Sequence, residues 1–430
     1  MNDGHFTIQM DSMAYGGSGV GRREDGKVIF IPMVLPGEMV KAAIVRDYKS
    51  YAVAELKDVI SISPHRITAP CVHFHACGGC DWQHIAYGEQ VKLKQEILKA
   101  QFKSKSFKIG KEMEEPALSP KEYAYRCHAF LRCSYNERFE TGFFRKQSNS
   151  IVPIDRCLIL NVSAQEVMHK ATEFIRENRL PNIAAMEIHA PQDSAIMRIH
   201  TDVSPSKVVL DALEVMQKSL RLDGLSVLPV HDPRKEHIFG QRSCSYGLSI
   251  LGRTVILESI MGGFIQANLN VNKQLIEHVA ECVEGSGRIL DLYSGSGNFG
   301  IPLSFHVQEV LAVEHDERLV KSGADLAKRN GCSNIRFLNE KVSRALKWLI
   351  KEGTSFDSVI LDPPREGAKE AVLDISRMEV SKIAYISCNP STLARDCSLL
   401  AKAGFKIKSI RLFDMFPQTF HIESVTVLER

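Results

Sequence analysis

Residues 288–300 read Arg-Ile-Leu-Asp-Leu-Tyr-Ser-Gly-Ser-Gly-Asn-Phe-Gly. Arg288–Asp291 reads as a strand, Leu292–Asn298 as a glycine loop, and Phe299 onward as a helix. Downstream the alternation continues. Glu309–Glu314, Ile335–Leu338, Ser358–Asp362 and Lys382–Cys388 read as strands, with helical patterns between them, such as Glu317–Asn330. Phe405–Leu412 and Ser424–Leu428 close the set. Strands alternating with helices predict a doubly wound, mostly parallel sheet of seven strands. In such sheets ligands bind beyond the carboxyl ends of the strands.

Gly295, Gly297 and Gly300 match a dinucleotide fingerprint, and Glu314 sits where a ribose-binding acid belongs. Two observations favour S-adenosylmethionine over a nicotinamide dinucleotide. Asp291 closes the first strand, where an acid can meet the cationic amino group of a methionine moiety. The later motifs concern a base rather than hydride transfer, and this cofactor has no pyrophosphate to cradle.

Two further loops carry chemistry. Lys382-Ile-Ala-Tyr-Ile-Ser-Cys388 ends abruptly, because Asn389-Pro390 stops a strand and can start a helix. A thiol therefore stands at a strand tip, where a helix start can favour its anion. Asp362-Pro-Pro-Arg365 follows the fourth strand. It resembles the Asp-Pro-Pro-aromatic loop of amino-group methyltransferases, but Arg365 replaces the stacking aromatic, which argues against that reaction. Glu423 opens the last strand, which runs antiparallel in sheets of this kind, so it should converge with Cys388 and Asp362. A thiol and a carboxylate beside a methyl donor suit carbon 5 of uracil. Thiolate attack on carbon 6 makes carbon 5 nucleophilic, and a base then removes its proton.

The first 60 residues read as short strands broken by Gly16-Gly17, Gly19 and Pro36-Gly37, the pattern of a small barrel. Cys71-Val-His-Phe-His-Ala-Cys77-Gly-Gly-Cys80 follows, three cysteines at metal-ligand spacing. Cys157 is the fourth candidate, since Cys127 and Cys133 lie in a strand-like run where burial explains them. Four thiolates fit zinc or a [4Fe–4S] cluster, and spacing alone does not choose. From Lys92 to Lys111 there are seven lysines against one acid, Glu96. Such a run is a solvated helix face or a phosphate-facing surface. Arg126, Arg132 and Arg145 are interleaved with aromatics in a hairpin-like pattern that suits RNA; Arg365 is the fourth candidate contact. Residues 160–260 alternate helix-like and strand-like patterns with no chemical motif.

The divisions expected are a barrel over 1–60, a central α+β domain with the metal site over 61–260, and a cofactor-binding domain over 261–430. Part of 90–120 is expected to pack on the last domain. Net charge is only +3, so the overall balance does not announce a nucleic-acid binder. No apolar run is long enough to cross a bilayer. Residues 1–5 lack the basic-then-apolar pattern of a signal peptide. Eleven cysteines without an export signal suggest reduced thiols in the cytosol.

Taken together, Pro36-Gly-Glu38, the cysteine set, Asp291–Gly297, Asp362–Arg365, Ser387-Cys-Asn-Pro390 and His421-Ile-Glu423 resemble the RNA (uracil-5-)-methyltransferases over nearly the whole length. The resemblance implies a TRAM-type, OB-like barrel and a Rossmann-like class I methyltransferase domain. It implies S-adenosylmethionine contacts at Gln266, Tyr293, Glu314 and Asp362, with Cys388 as nucleophile and Glu423 as proton acceptor. It implies a [4Fe–4S] cluster on Cys71, Cys77, Cys80 and Cys157. Ser294 departs from the cysteine common there. Tribe members specific for bacterial tRNA lack barrel and cluster, so 23S ribosomal RNA is the substrate expected, with tRNA the alternative. The chain is expected to act as a monomer.

Overall fold

The computed structural model describes residues 5–430, so the signal-peptide reading of Met1–Gly4 lies outside the described residues. Six strands open the chain: β1 (His5–Gln9), β2 (Ser12–Met13), β3 (Gly19–Arg22), β4 (Val28–Ile31), β5 (Met39–Asp47) and β6 (Tyr51–Ser61). They form one sheet in the order β1-β5-β6-β4-β3-β2 around a core of Ile8, Ile29, Ile31, Val40 and Ala52. Alternate residues of β4 and β5 point inward, as the period of two requires. The buried Glu38 carboxylate accepts from the Arg66 guanidinium at 2.6 Å and from the Leu35 amide at 2.8 Å, which fixes the Pro36-Gly37 turn.

Helix α1 (Tyr87–Lys103) carries most of the lysine run. Lys92, Lys99 and Lys103 face solvent, as expected for a solvated face. Lys94 does not. It is fully buried, and its Nζ donates to Asp414 at 2.6 Å and to the Phe416 carbonyl at 2.9 Å. Val91, Leu93, Ile97, Leu98 and Phe102 of α1 join the apolar core that contains Tyr385, Leu393 and Leu412.

The central sheet is built from β7 (His128–Tyr135), β8 (Phe139–Phe144), β9 (Ile151–Pro153), β10 (Ile183–His189), β11 (Ile196–Thr201), β12 (Gly224–Pro229) and β13 (His237–Gly240), in the order β13-β12-β11-β10-β7-β8-β9. Helices α2 (Val162–Glu177) and α3 (Lys207–Ser219) cover one face, capped by Asn161 and Ser206. Tyr123–Arg126 does not join the hairpin β7–β8; Tyr125 is buried and its hydroxyl donates to the Pro417 carbonyl at 2.9 Å.

Hairpin β14 (Ser243–Ile250) and β15 (Arg253–Ile260) leads to α4 (Leu269–Cys282). Its Tyr246, Leu248, Val255 and Leu257 pack with α4 in the core beneath the last sheet. That sheet contains β16 (Arg288–Leu292), β17 (Glu309–Glu314), β18 (Ile335–Asn339), β19 (Ser358–Leu361), β20 (Lys382–Ser387), β21 (Lys406–Phe413) and β22 (Glu423–Glu429). The order is β18-β17-β16-β19-β20-β22-β21, parallel except for β22 against both neighbours. Helices α5 (Gly300–Leu303), α6 (Glu317–Arg329), α7 (Val342–Lys351), α8 (Lys369–Ile375) and α9 (Pro390–Lys402) connect the strands. β19 and β20 are buried on both faces, which is why they read as continuous apolar runs. Among the described residues no helix is long and apolar enough to cross a membrane.

Candidate active site

The parallel register aligns the strand ends. Leu292 pairs with Leu361, and Leu361 with Tyr385. Asp291, Asp362 and Cys388 therefore stand along one edge. β22 runs back through Ser424 opposite Ser387, so Glu423 begins where Cys388 follows the end of β20. Asn389 caps α9, its Oδ1 accepting from the Ser391 amide at 3.1 Å, and its Nδ2 donates to the Arg365 carbonyl at 3.0 Å. That bond ties the Asp362–Arg365 loop to the loop of the thiol.

Electrostatics mark this edge. Asp291 is wholly buried and its carboxylate oxygens lack a well-formed hydrogen bond, with only the Gly300 amide near enough to oppose the effect of burial. Burial, with Asp362 and Glu314 nearby, pushes its carboxyl up to about 8. Desolvation pushes Asp362 up to about 7. Burial, with Asp362, holds Glu423 well above the usual carboxylate range, against the pull of Arg365. Three acids with one opposing cation make a site short of positive charge. Burial also pushes the Cys388 thiol up to about 11, with Glu423 and Asp362 adding and Arg365 opposing. The helix start behind Cys388 therefore does not dominate; burial and the two acids outweigh it.

The glycine loop lies beside these acids. Tyr293 has φ of 62°, a left-handed conformation unusual for a non-glycine residue, and Gly295 and Gly297 follow at 55° and 94°. A Cβ at Gly300 would lie 2.9 Å from Asp291 Oδ2. Glu314 accepts from the amides of His315 (2.7 Å), Asp316 (2.9 Å) and Gly295 (3.2 Å). Tyr293 and Glu314 line a cavity of about 470 Å³ with Val342, Gly367 and Lys369. Asp291, Asp362 and Gln266 do not line it. Gln266 lies between β15 and α4, whose Asn272 exchanges bonds of 2.8 and 3.1 Å with Asn298 of the loop. The Tyr293 ring and the Glu314 carboxylate on this cavity suit a ribose-bearing ligand, whereas the Asp291 carboxylate is buried outside that lining.

One residue of the site was invisible to sequence reasoning. Tyr15, from the barrel, donates its hydroxyl to the Cys388 carbonyl at 3.1 Å. Its ring meets Phe420 edge-on at 6.0 Å. Gly17 makes this approach possible, since a Cβ there would meet Phe420 at 3.0 Å. Trp82 Nε1 donates to the Gly17 carbonyl at 3.2 Å, and the Asp81 and Trp82 amides donate to the Gln418 carbonyl. The one signal in the sequence is an aromatic hydroxyl set just before Gly16-Gly17. His421, between Phe416 and Phe420, is pushed down to about 4 by burial and Arg365, so it is neutral at pH 7.

Cys71, Cys77, Cys80 and Cys157 line one cavity of about 180 Å³ with Phe74, Phe143 and Ile159. None is in a disulfide. Burial, with the other three thiols adding, pushes Cys80 up to about 12. Four thiols lining one apolar-walled space are a candidate tetrathiolate set, and no three of their sulfurs lie within 4.8 Å of one another. Arg126 lines the same cavity. Arg132 lies 4.7 Å from the rings of both Phe130 and Phe144. With Arg145 it lines a cleft of about 900 Å³ that also takes in Gly16–Ser18 of the barrel and Gly78-Gly79. Arg365 stands apart, at the thiol.

The family model described as tRNA (Uracil-5-)-methyltransferase matches residues 86–430, and that of the TRAM domain matches residues 7–57. The 23S rRNA (uracil(1939)-C(5))-methyltransferase RlmD of Aeromonas hydrophila is 33% identical over 433 residues, spanning 99% of this chain and 96% of that protein. The protein of that name from Pseudomonas aeruginosa is 32% identical, spanning 98% and 93%. Among solved structures, Pyrococcus abyssi tRNA (uracil-54, C5)-methyltransferase in complex with S-adenosyl-L-homocysteine superposes with a TM-score of 0.76 at 24% identity, covering 98% of this chain and 100% of that one. The chain belongs to the tRNA (uracil-5-)-methyltransferase family and is an RNA uracil-5-methyltransferase with an amino-terminal TRAM domain.

Proposed function

We propose that this enzyme methylates carbon 5 of a uridine in 23S ribosomal RNA, with Cys388 as nucleophile and Glu423 as proton acceptor. The observation that carries this reading is the register placing a thiol and a buried carboxyl side by side at the edge holding Asp291 and Asp362. The full-length likeness to RlmD proteins supports the ribosomal substrate.

Cys388 adds through sulfur to carbon 6 of the uracil, and the displaced electron pair makes carbon 5 nucleophilic. S-adenosylmethionine, held by Asp291, Tyr293, Glu314, Asp362, Gln266 and the Gly295–Gly297 loop, supplies the methyl group when bound. Glu423 then takes the proton from carbon 5, and the sulfur leaves carbon 6 as the double bond re-forms. Glu423 must be ionised for that step. A bound cation beside the three acids favours their ionised forms. Tyr15 holds the backbone of the nucleophile through its carbonyl.

Cys71, Cys77, Cys80 and Cys157 would hold a [4Fe–4S] cluster, with zinc as the alternative; it ties the loop of the first three to the strand region before α2. Methyl transfer moves no net electron, so this group serves structure or RNA contact. The division of labour follows. Residues 1–60 and 61–260 bind RNA, through the cleft with Arg132 and Arg145, and 261–430 carries the reaction.

Nucleoside mass spectrometry of RNA from cells with and without the gene tests the substrate. The reading predicts loss of one or more 5-methyluridines from 23S RNA. Loss confined to tRNA, or loss of a methyl group on adenine nitrogen, contradicts it.

A further inference from the structure

The central sheet packs α2 and α3 on one face. On the other, four side chains from three adjacent strands converge. β10 supplies Glu187 and His189, two residues apart and therefore on one face. β7 supplies His128, the register partner of His189. β11 supplies His200, whose partner Ala185 lies two residues before Glu187.

His189 Nε2 lies 3.0 Å from Glu187 Oε1, and His128 Nε2 lies 3.8 Å from that same oxygen. His200 Nε2 lies 3.9 Å from Glu187 Oε2. The last two separations are too long for hydrogen bonds. His200 Nε2 is sealed from solvent and has no partner at all. A carboxylate collecting three N–H bonds would account for His189 alone. Atoms that share one cation, each about 2.0–2.1 Å from it, lie no more than about 4.2 Å apart. The His189 and His128 separations from Oε1 fall inside that limit, and the ligand atoms of His128, Glu187 and His189 all lie within 4.8 Å of one another, whereas His200 stands outside that group.

His189 also has the outer bond that metal-binding imidazoles use. Its Nδ1 lies 2.6 Å from Ser259 Oγ on β15, which aims Nε2 at the cluster. The side chains of His128, Glu187 and His200 are 25%, 12% and 16% exposed, so an ion can enter from solvent. Arg126 lies near His128 and opposes a cation, but its Nε is engaged by the His128 carbonyl at 2.9 Å. Arg198, on the same face, is paired with Glu236 at 2.9 Å.

We propose that His128, Glu187 and His189 bind one divalent transition cation, zinc first among them. Two imidazoles and one carboxylate are a ligand set that zinc takes, with a water in the fourth position. The site is separate from the four cysteines. It pins β7 and β10 together and, through Ser259, fastens the central sheet to hairpin β14–β15. Cys127, next to His128, donates its thiol to the Gln266 carbonyl at 3.3 Å, so the pinned strand adjoins a segment of the cofactor site.

Elemental analysis of the full-length enzyme tests this, with zinc and iron measured on the same sample after dialysis. His128→Gln and Glu187→Gln each lower zinc by about one equivalent per chain relative to wild type, and leave iron unchanged. His128→Gln keeps the His189–Glu187 bond, so it separates ion binding from folding of the sheet. A second measurement needs no variant: ZnCl2 added to chelator-treated wild type raises its unfolding temperature and competes with a micromolar zinc indicator. Equal zinc in wild type and both variants overturns the proposal. So does a wild type that neither retains zinc nor competes with the indicator.

Discussion

Cys388 and Glu423 stand opposite one another where β20 ends and β22 begins, because Ser387 pairs with Ser424 in the antiparallel register. The pairing brings together residues 35 positions apart and sets a thiol against an acid with Asp362 as neighbour to both. Burial first, and Asp362 beside both, keep the two side chains in their neutral forms, and Glu423 adds to the effect on the thiol.

That neutrality gives a measurable proton count. At pH 7 without ligand, Asp291 at about 8 is mostly protonated and Asp362 at about 7 is protonated in about half of the molecules. A bound cation lowers both, so protons leave as it binds. Titration calorimetry of S-adenosylmethionine at pH 7 in buffers of different ionisation enthalpy should show release on the order of one proton per chain. Asp291→Asn should reduce that number. Proton uptake, or no linkage, contradicts the charge arrangement.

Arg365 opposes the two acids at the thiol. Arg365→Gln should therefore raise the thiol pKa further and shift the rising limb of adduct formation to higher pH. A shift of one unit slows the step about tenfold below the limb. Single-turnover rates from pH 6.5 to 9.5 measure it. A rate lowered equally at every pH would mean that Arg365 holds RNA rather than tuning sulfur.

Tyr15 couples the barrel to the nucleophile through one hydroxyl. Tyr15→Phe keeps the ring on Phe420 and removes the bond to the Cys388 carbonyl. We expect kcat to fall several-fold, with KM for RNA nearly unchanged. A change in KM alone would make Tyr15 an RNA contact.

Lys94 and Asp414 form a fully buried ion pair between α1 and the segment after β21. Lys94→Ala strands the Asp414 carboxylate, one of whose oxygens already lacks a partner. The cost should be about 3–5 kcal/mol by urea unfolding. Lys94→Met with Asp414→Leu should recover most of it, whereas an additive double variant would mean that packing and not charge sets the loss.

The catalytic sheet was legible because its inner strands are buried on both faces. Val359–Leu361 and Ile383–Ile386 have no exposed residue, so their apolar runs announce strands without any alternation. The thiol, the acids and the glycine loop were legible because each stands at a strand end. Lys94 was legible in place but not in role. Val91, Lys94 and Leu98 share the buried stripe of α1, yet its partner is 320 residues away. Tyr15 and the histidine cluster escaped for a similar reason. Tyr15 meets Cys388 only because one sheet sits against another, and the histidines meet because β10 pairs with β7 and β11 inside the central sheet; no local period records either.

The most direct test of the account is the covalent adduct at Cys388. The enzyme is mixed with S-adenosylmethionine and a 23S RNA fragment carrying 5-fluorouridine at the target, then digested for peptide mass spectrometry. Fluorine cannot leave as a proton, so the account predicts a methylated fluorouridine fixed to the peptide containing Cys388, and none in Cys388→Ala. An adduct on another residue, or 5-methyluridine still formed by Cys388→Ala on ordinary RNA, would contradict it.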